Sequence, residues 1–496
     1  MKAMQGKMAK AALAALICLT PVFAAAACDS QTGGEQDAEA SGQYVVSIEK
    51  TSSGELADIY TVTYSDGSTS QLTVEHGRDG EDLSIVDIWQ DYCAETGEEI
   101  SLSDFLDRYL DLSSDTSASI AQTLLSSVSI YTEFVETTSL SGGFPGFGGG
   151  GVTSSQIAQS GGSGVIYRIE GDDVYIVTNY HVVYNSDADA SRNGGSQIAR
   201  SIRCYLYGSE ATPVISGYDE NGYYVYDYGS SAIECEYVGG SLEADLAVLR
   251  ADLADVQAVN PDVQAVTLAD GYTVGERVYA IGNAEGEGLS VTEGIVSVDS
   301  EYISLDIDGD NAYESYRSIR FDAAIYHGNS GGGLYNAQGE LIGITNAGTE
   351  VNENMCYAIP VSIVRGTVEN ILYHANDGDE STDGVLKITL GVTVSGENAR
   401  YVLDQTTGLG KIVEDITVQS VTAGSLAESM GLGEGDVLTA AMINGTSFEL
   451  DRTFDLGDLI LTLRPGDTLS LTVTRAGESV TTSALTLEAG QFAQAE

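Results

Sequence analysis

Cationic residues are scarce in this chain. Its 496 residues include 21 Lys and Arg against 74 Asp and Glu, a formal net charge of −53. Such a surface repels phosphate, which argues against nucleic acid as a partner and fits the solvated acidic face of an exported protein. Proline is also rare, six in all, whereas glycine reaches 58 and charged residues stop at 19%. That balance disfavours disorder and long helices and suits turn-rich β structure. With four His and six Cys in the chain, no Cys-x-x-Cys or Cys/His cluster has metal spacing, so neither a metal nor another cofactor is expected. Apart from the N-terminus, no apolar run is long enough to span a bilayer. The length allows two to four domains with real cores.

The first 27 residues read as a signal peptide. Lys2, Lys7 and Lys10 make a basic start, and Ala11 to Ala24 form an apolar core too short and too Ala-rich for a membrane span. Ala25-Ala26-Ala27-Cys28 then resembles a bacterial lipobox, which implies Cys28 as the lipidated first residue of the mature chain and a membrane contact by lipid anchor only. Residues 28–42 are small, polar and acidic, hence a tether. Cys93, Cys204, Cys235 and Cys356 remain. Cys204 and Cys235 each sit mid-strand among apolar neighbours, so they either pair across adjacent strands or stand as buried free thiols.

Composition shifts then mark the units. Residues 43–80 read as a small β module, with Tyr60, Val62 and Tyr64 alternating before an Asp66-Gly67 turn. Residues 81–115 carry helical spacing in Ile85, Ile88, Trp89, Tyr92 and Cys93. Residues 120–376 are all-β, opening with a strand from Leu124 to Ile130. They include a Gly-rich loop at 142–151 and a polar, Tyr-rich insertion from Ser209 to Ser231. Asp306 to Asn311 superficially suggests a calcium loop, but Asn311 stands where a Gly is needed and Arg317 where a Glu is needed, so an acidic hairpin tip is expected. Residues 377–384 form a charged linker, and 385–489 a further folded unit in which Leu456 to Ile460 make a short helix before a strand from Leu469 to Val473.

The chemistry gathers around Gly328-Asn329-Ser330-Gly331-Gly332. A serine between glycines asks for a tight, exposed turn that a substrate backbone can approach. Its hydroxyl is a weak nucleophile without a base. Thr178-Asn179-Tyr180-His181-Val182-Val183 supplies a histidine after an apolar strand, and Asp245-Leu246-Ala247-Val248-Leu249 opens another strand with a carboxylate. Singly, each has a plainer reading as a turn, a structural histidine or a strand boundary. In the order His, Asp, Ser they form a nucleophile, base and orienting acid.

These three blocks resemble those of HtrA/Deg-type trypsin-like serine proteases. Asp322-Ala323-Ala324-Ile325, Thr292-x-Gly294-Ile295-Val296-Ser297 and Tyr357-Ala358-Ile359-Pro360 match as well. Residues 385–489, with Leu390-Gly391-Val392 and Met430-Gly431-Leu432-Gly433-Glu434-Gly435-Asp436-Val437-Leu438, resemble the PDZ domain that follows the protease in that family. The resemblance implies a mainly β protein: a chymotrypsin-like double β-barrel (120–376), then a PDZ domain (385–489). It implies Ser330 as nucleophile, His181 as general base and acid, Asp245 as its orienting partner, and the N–H groups of Gly328 and Ser330 as oxyanion hole. Ala324, six residues before Ser330, would floor a pocket for small or medium aliphatic side chains. Leu390, Gly391 and Val392 would bind the carboxylate of a C-terminal peptide by strand addition. Asn329 replaces the Asp that pairs with a freshly cut N-terminus, so control falls to loops or the PDZ domain. His327 stands where Pro or another small residue is typical and reads as an exposed loop histidine.

The expected protein is an extracytoplasmic, lipid-anchored serine endopeptidase acting on unfolded polypeptides in envelope quality control, with homo-oligomers possible in such a family. The alternative is a non-catalytic envelope chaperone or peptide-binding lipoprotein that keeps the protease fold as a scaffold.

Overall fold

The computed structural model describes residues 45–53, 57–64, 67–75, 89, 92–94, 116–140, 152–306, 313–349, 352–375, 384–403 and 409–494. The signal peptide, Cys28, the tether, the Gly-rich loop, the acidic tip beyond Asp306 and most of the linker and of the 81–115 segment lie outside the described residues. The chain divides into two units, 1–118 and 119–496. In the first, β1 (Val45–Ser53), β2 (Ala57–Tyr64) and β3 (Thr69–Glu75) form an antiparallel meander in which Tyr60 pairs with Leu72 and Val62 with Ser70. The alternation read in the sequence buries Tyr60 and Val62.

Next along the chain comes α1 (Ser117–Leu124), which corrects one expectation. Leu124 to Ser126 are not strand. The side-chain hydroxyls of Ser126 and Ser127 both donate to the Thr123 carbonyl and close the helix, and the strand starts only at Ser127. Then β4 (Ser127–Leu140), β5 (Val152–Glu170), β6 (Asp173–Thr178), the short α2 (Tyr180–Val183) and β7 (Ser201–Leu206) follow. The Tyr-rich insertion folds as its own hairpin, β8 (Val214–Tyr218) with β9 (Tyr224–Asp227), before β10 (Ile233–Ser241), β11 (Leu246–Asp252) and α3 (Leu253–Val259). β10-β11-β6-β5-β4-β7 close into a barrel. Antiparallel β7 and β10 set Cys204 opposite Ile233 and Cys235 opposite Ile202, and both cysteines are buried free thiols.

A second barrel, β12-β13-β14-β17-β16-β15, uses β12 (Arg277–Gly282), β13 (Ser290–Leu305), β14 (Glu314–Phe321), β15 (Gly333–Asn336), β16 (Leu341–Thr349) and β17 (Asn352–Pro360). The unbroken apolar runs of the sequence are explained by burial on both faces. On β6, Val174 and Ile176 point into the first barrel, whereas Tyr175 and Val177 join a core shared with Ile281, Tyr335 and Ile344 of the second. On β11, Ala247 and Leu249 point inward and Leu246 and Val248 toward that shared layer. Each such Val, Leu or Ile contributes about 1.5–3 kcal/mol, and together they clamp the two barrels edge to edge along the line where the His and Asp blocks end.

Helix α4 (Val361–Ala375) leaves the second barrel and lays Val364, Val368, Ile371 and Leu372 on the shared core. The last part of the unit comprises β18 (Leu386–Ile388), β19 (Val392–Leu403), β20 (Gly410–Val421), α5 (Leu426–Met430), β21 (Val437–Ile443), β22 (Thr446–Glu449), α6 (Asp455–Thr462), β23 (Thr468–Arg475), β24 (Glu478–Thr481), β25 (Leu485–Thr486) and β26 (Phe492–Gln494). Its main sheet runs β19-β20-β21-β23-β24, with β19 at an edge. It packs on the barrels through α6 against α4. The Asn370 side chain bonds the Leu386 and Leu461 carbonyls and the Leu386 N–H, and Arg317 of β14 pairs with Asp458 and lies over Phe454.

Candidate active site

β6 ends at Thr178, and the chain turns at once into α2, whose second residue is His181. The turn is held from the neighbouring strands. Thr132 Oγ1 donates to the Val182 carbonyl, and Asn179 Nδ2 donates to the Asp245 carbonyl at 2.9 Å. Asp245 closes a turn after β10, its N–H on the Leu242 carbonyl, with a left-handed φ of 49°. A non-glycine residue in that region costs energy and persists only where its surroundings over-determine it. Here the carboxylate is wholly buried and accepts both the His181 backbone N–H at 3.1 Å and the ring Nδ1–H at 2.9 Å. Those bonds fix the tautomer: Nδ1 carries the proton and Nε2 keeps its lone pair. Burial pulls the imidazole pKa down, but the charge of Asp245 and its hydrogen bond outweigh this and hold it above the ordinary value.

The serine turn approaches the same segment from the second barrel. A Cβ on Gly162 would lie 2.7 Å from Val182 Cγ1 and 3.3 Å from the Ser330 carbonyl, and one on Gly331 would lie 2.3 Å from Thr178 Oγ1. Glycine at both points lets the two backbones close on one another. The Ser330 hydroxyl donates to the Asn346 carbonyl at 3.1 Å and makes no hydrogen bond with His181.

The turn's backbone groups are almost all engaged. The His327 carbonyl accepts the Glu285 N–H at 2.7 Å, and the Gly328 carbonyl accepts the Ser163 hydroxyl at 2.7 Å. The Asn329 carbonyl accepts the Gly332 N–H and Thr345 Oγ1, and the Ser330 carbonyl accepts the Ser163 N–H at 2.8 Å. Asn329 N–H bonds the Tyr326 carbonyl and Gly331 N–H that of Thr345. Two donors are left without an acceptor among the described residues: the N–H groups of Gly328 and Ser330. Because a trans peptide points its N–H opposite its C=O, the bonds on the His327 and Asn329 carbonyls aim these two donors away from those partners.

Ala324 is half-buried at the entrance of this turn, its carbonyl bound by Thr292 Oγ1 at 2.8 Å, and the His327 side chain is exposed. In the C-terminal unit Leu390 is buried in the core, Gly391 takes a φ of 75°, and Val392 opens the edge strand β19. The carbonyls of Leu390 and Gly391 are taken by Ala427 and Thr422, while their N–H groups have no partner among the described residues. No group of three or more His, Cys, Asp or Glu among the described residues is arranged for a metal ion.

Sequence reasoning passed over Ser163, Asn283, Glu285 and Thr345. Ser163 sits in a Gly162-Ser163-Gly164 run that reads simply as strand. The available signal was its flanking glycines, which mark a place where another backbone comes close.

A barrel pair with a buried Asp bonded to a half-buried His, a Gly-flanked serine and an appended edge-strand sheet defines a trypsin-like serine peptidase joined to a PDZ domain. Residues 162–344 match the trypsin-like peptidase domain family, and residues 389–486 the PDZ domain family. The Serine protease Do-like HtrA of Lactococcus lactis subsp. cremoris (strain MG1363) is 30% identical over 352 residues, covering 67% of this chain and 73% of the relative. The probable periplasmic serine endoprotease DegP-like of Rhizobium meliloti (strain 1021) is 32% identical over 268 residues, 53% of this chain and 48% of that protein. Among solved structures, the HtrA-type protease AlgW with decapeptide aligns with 77% of this chain and 99% of its own at 26% identity and a TM-score of 0.43. The chain belongs to the HtrA serine protease family and is a serine-type endopeptidase.

Proposed function

We propose that Ser330, His181 and Asp245 carry out the peptide-bond hydrolysis. The observation that carries this reading is the His181 Nδ1–H held at 2.9 Å by a wholly buried Asp245, beside a serine turn with two unpaired N–H donors. The Ser330 hydroxyl rotates from the Asn346 carbonyl to His181 Nε2 and gives up its proton as Oγ attacks the scissile carbonyl. Asp245 stabilises the imidazolium that forms. The Gly328 and Ser330 N–H groups receive the developing oxyanion, each worth about 2.7–4 kcal/mol of barrier. The imidazolium protonates the leaving amine, and the C–N bond breaks to leave an acyl ester on Ser330. A water then gives a proton to His181 and attacks the ester; the imidazolium returns that proton to Ser330 Oγ as the acyl C–O bond breaks, releasing the acid product and restoring the free serine.

Ala324 admits small or medium aliphatic side chains before the scissile bond and offers no charge to Lys or Arg. The unpaired N–H groups of Leu390 and Gly391, next to the edge strand β19, suit a terminal carboxylate whose peptide extends along that edge. The natural substrates are unfolded or damaged polypeptides of the cell envelope, reached by a protein exported through its signal peptide and anchored by lipid on Cys28. Casein hydrolysis by a soluble form beside Ser330→Ala tests the enzymatic core of this reading. Activity in wild type alone is expected, and equal background in both, with and without C-terminal peptides, would return the non-catalytic chaperone.

A further inference from the structure

The serine turn belongs to the second barrel, yet part of what holds it comes from the first. Ser163 lies on β5, wholly buried, and every polar group it owns is committed to this one place. Its backbone N–H donates to the Ser330 carbonyl, and its hydroxyl donates to the Gly328 carbonyl at 2.7 Å. The same oxygen accepts the Asn283 N–H at 2.7 Å, and its carbonyl accepts Thr178 Oγ1 at 2.7 Å, one turn before His181. Asn283 opens the loop between β12 and β13, and two residues later Glu285, at a left-handed φ of 55°, presents the N–H that grips the His327 carbonyl. Two further first-barrel side chains brace that loop: Tyr131 Oη donates to the Gly286 carbonyl, and Glu210 Oε1 accepts the Leu289 N–H, each at 3.3 Å.

We propose that Ser163 is a positioning residue whose hydroxyl, shared between the Gly328 carbonyl and the Asn283 N–H, holds the oxyanion turn in its donor-forward form from across the barrel interface. The geometry makes one oxygen serve both halves of the device. By donating to Gly328 it fixes the peptide between the two oxyanion donors. By accepting from Asn283 it seats the loop whose Glu285 N–H turns the His327 carbonyl backward and hence the Gly328 N–H forward. Ala at 163 keeps the backbone bond to Ser330 but removes both hydroxyl bonds, so the His327–Gly328 peptide is free to turn over while the Asp245–His181 couple stays intact. Ser163 touches neither substrate nor the reacting atoms; it acts through the turn.

The proposal rests on the serine-peptidase reading above, and its test separates the two. Ser163→Ala, Ser163→Cys (a weak donor of similar volume), Ser330→Ala and wild type are compared in the full soluble chain. Hydrogen exchange is followed over residues 322–336, and kcat and KM are measured per active site titrated with a fluorophosphonate in the forms that keep Ser330, with Ser330→Ala, at equal protein, as the background rate. The expected result for Ser163→Ala is faster exchange confined to that segment and a kcat lower by about ten- to a hundredfold, with KM within about twofold. Ser163→Cys should fall between Ser163→Ala and wild type in both. A purely structural role would lower the titratable fraction or Tm and leave kcat per site alone. Unchanged exchange and kcat in a folded variant overturns the proposal. If wild type hydrolyses no faster than Ser330→Ala, the enzymatic reading fails, and the exchange rates alone decide the brace.

Discussion

A single methyl group on Gly328 should abolish most turnover without unfolding the protein. Gly328 has a φ of +94°, and a Cβ built there lies 2.2 Å from the Asn283 carbonyl oxygen, against an ordinary contact of 3.4–4 Å. Relief therefore requires a relative shift of roughly 1 Å. Asn283 is wholly buried and pinned through its N–H to Ser163, so the serine turn is the side that moves. The His327–Gly328 peptide moves with it, taking one of the two proposed oxyanion donors away from its aim. Losing such a donor costs about 10²–10³ in kcat, or about 2.7–4 kcal/mol of barrier, and a misplacement of about 1 Å alone can cost about 10². Gly328→Ala is thus expected to lower kcat by about two to three orders of magnitude with little change in KM. Gly195→Ala is the control: it has the same φ of +94° with nothing within 4 Å. It carries the left-handed strain of about 1–2 kcal/mol without the clash, so it should lower Tm while leaving turnover unchanged. The assay is a fluorogenic peptide with an aliphatic residue before the scissile bond, with rates per titrated site and Tm measured in parallel. A Gly328→Ala enzyme that turns over within about threefold of wild type would refute the argument from the oxyanion donor.

In the proposed mechanism His181 must be neutral to act as base, and its pKa is held above the ordinary 6.5, burial being outweighed by Asp245; the acid limb of kcat/KM against pH should therefore have its midpoint above that value. In stability the sign is opposite in use: the raised pKa stabilises the fold fully below the ordinary value, and this contribution fades as pH rises through the folded-state pKa, a trend readable as Tm against pH. Asp245→Asn should lower the limb's midpoint and reduce kcat by about 10⁴, through loss of the productive tautomer. Arg317, with only 5% of its side chain exposed, pairs with Asp458 across the barrel–PDZ contact; Arg317→Ala should destabilise by about 3–5 kcal/mol in urea unfolding, and a loss below about 1 kcal/mol would mean that the pair is solvent-screened. Cys204 and Cys235, buried free thiols on adjacent strands, should resist maleimide in the folded protein and react once it is denatured; fast labelling of either in native buffer would contradict their burial.

The parts of this site that the sequence displayed are those whose chemistry is carried by residue type and order. A Gly-flanked serine, a histidine ending one apolar strand and an aspartate opening another are visible because each sits where a strand stops. The runs Val174 to Val177 and Leu246 to Leu249 betray two buried faces. What stayed hidden depends on bonds between distant residues. Ser163 meets Gly328 from 165 positions away, and nothing in its neighbours announces a hydroxyl used twice. The Glu285 N–H is a backbone group with no residue signature at all. Leu124-Leu125 looked like the start of a strand because adjacent leucines suit either element; the decision lay in two serine hydroxyls folding back on Thr123. The seat of the PDZ sheet on α4 was equally illegible, because residues 120–376 read as all-β, so neither the helix itself nor the approach of Leu461 to Gly366 and of Leu386 to Asn370 was expected.

That seat bears on how the molecule comes apart. Asn370 is wholly buried, and among the described residues its amide is satisfied only by the backbone of Leu386 and Leu461. The opposite side of the same helix contributes Val364, Val368 and Ile371 to the layer shared by both barrels. Cutting the chain after α4 would therefore bare a polar group that the barrels cannot replace, beside a stripe of apolar surface. A protease trimmed of its PDZ domain is not the same protease with a reader removed. Its loss of activity would measure a weakened barrel interface as much as a missing peptide signal, and point changes along β19 are the cleaner way to separate recognition from folding.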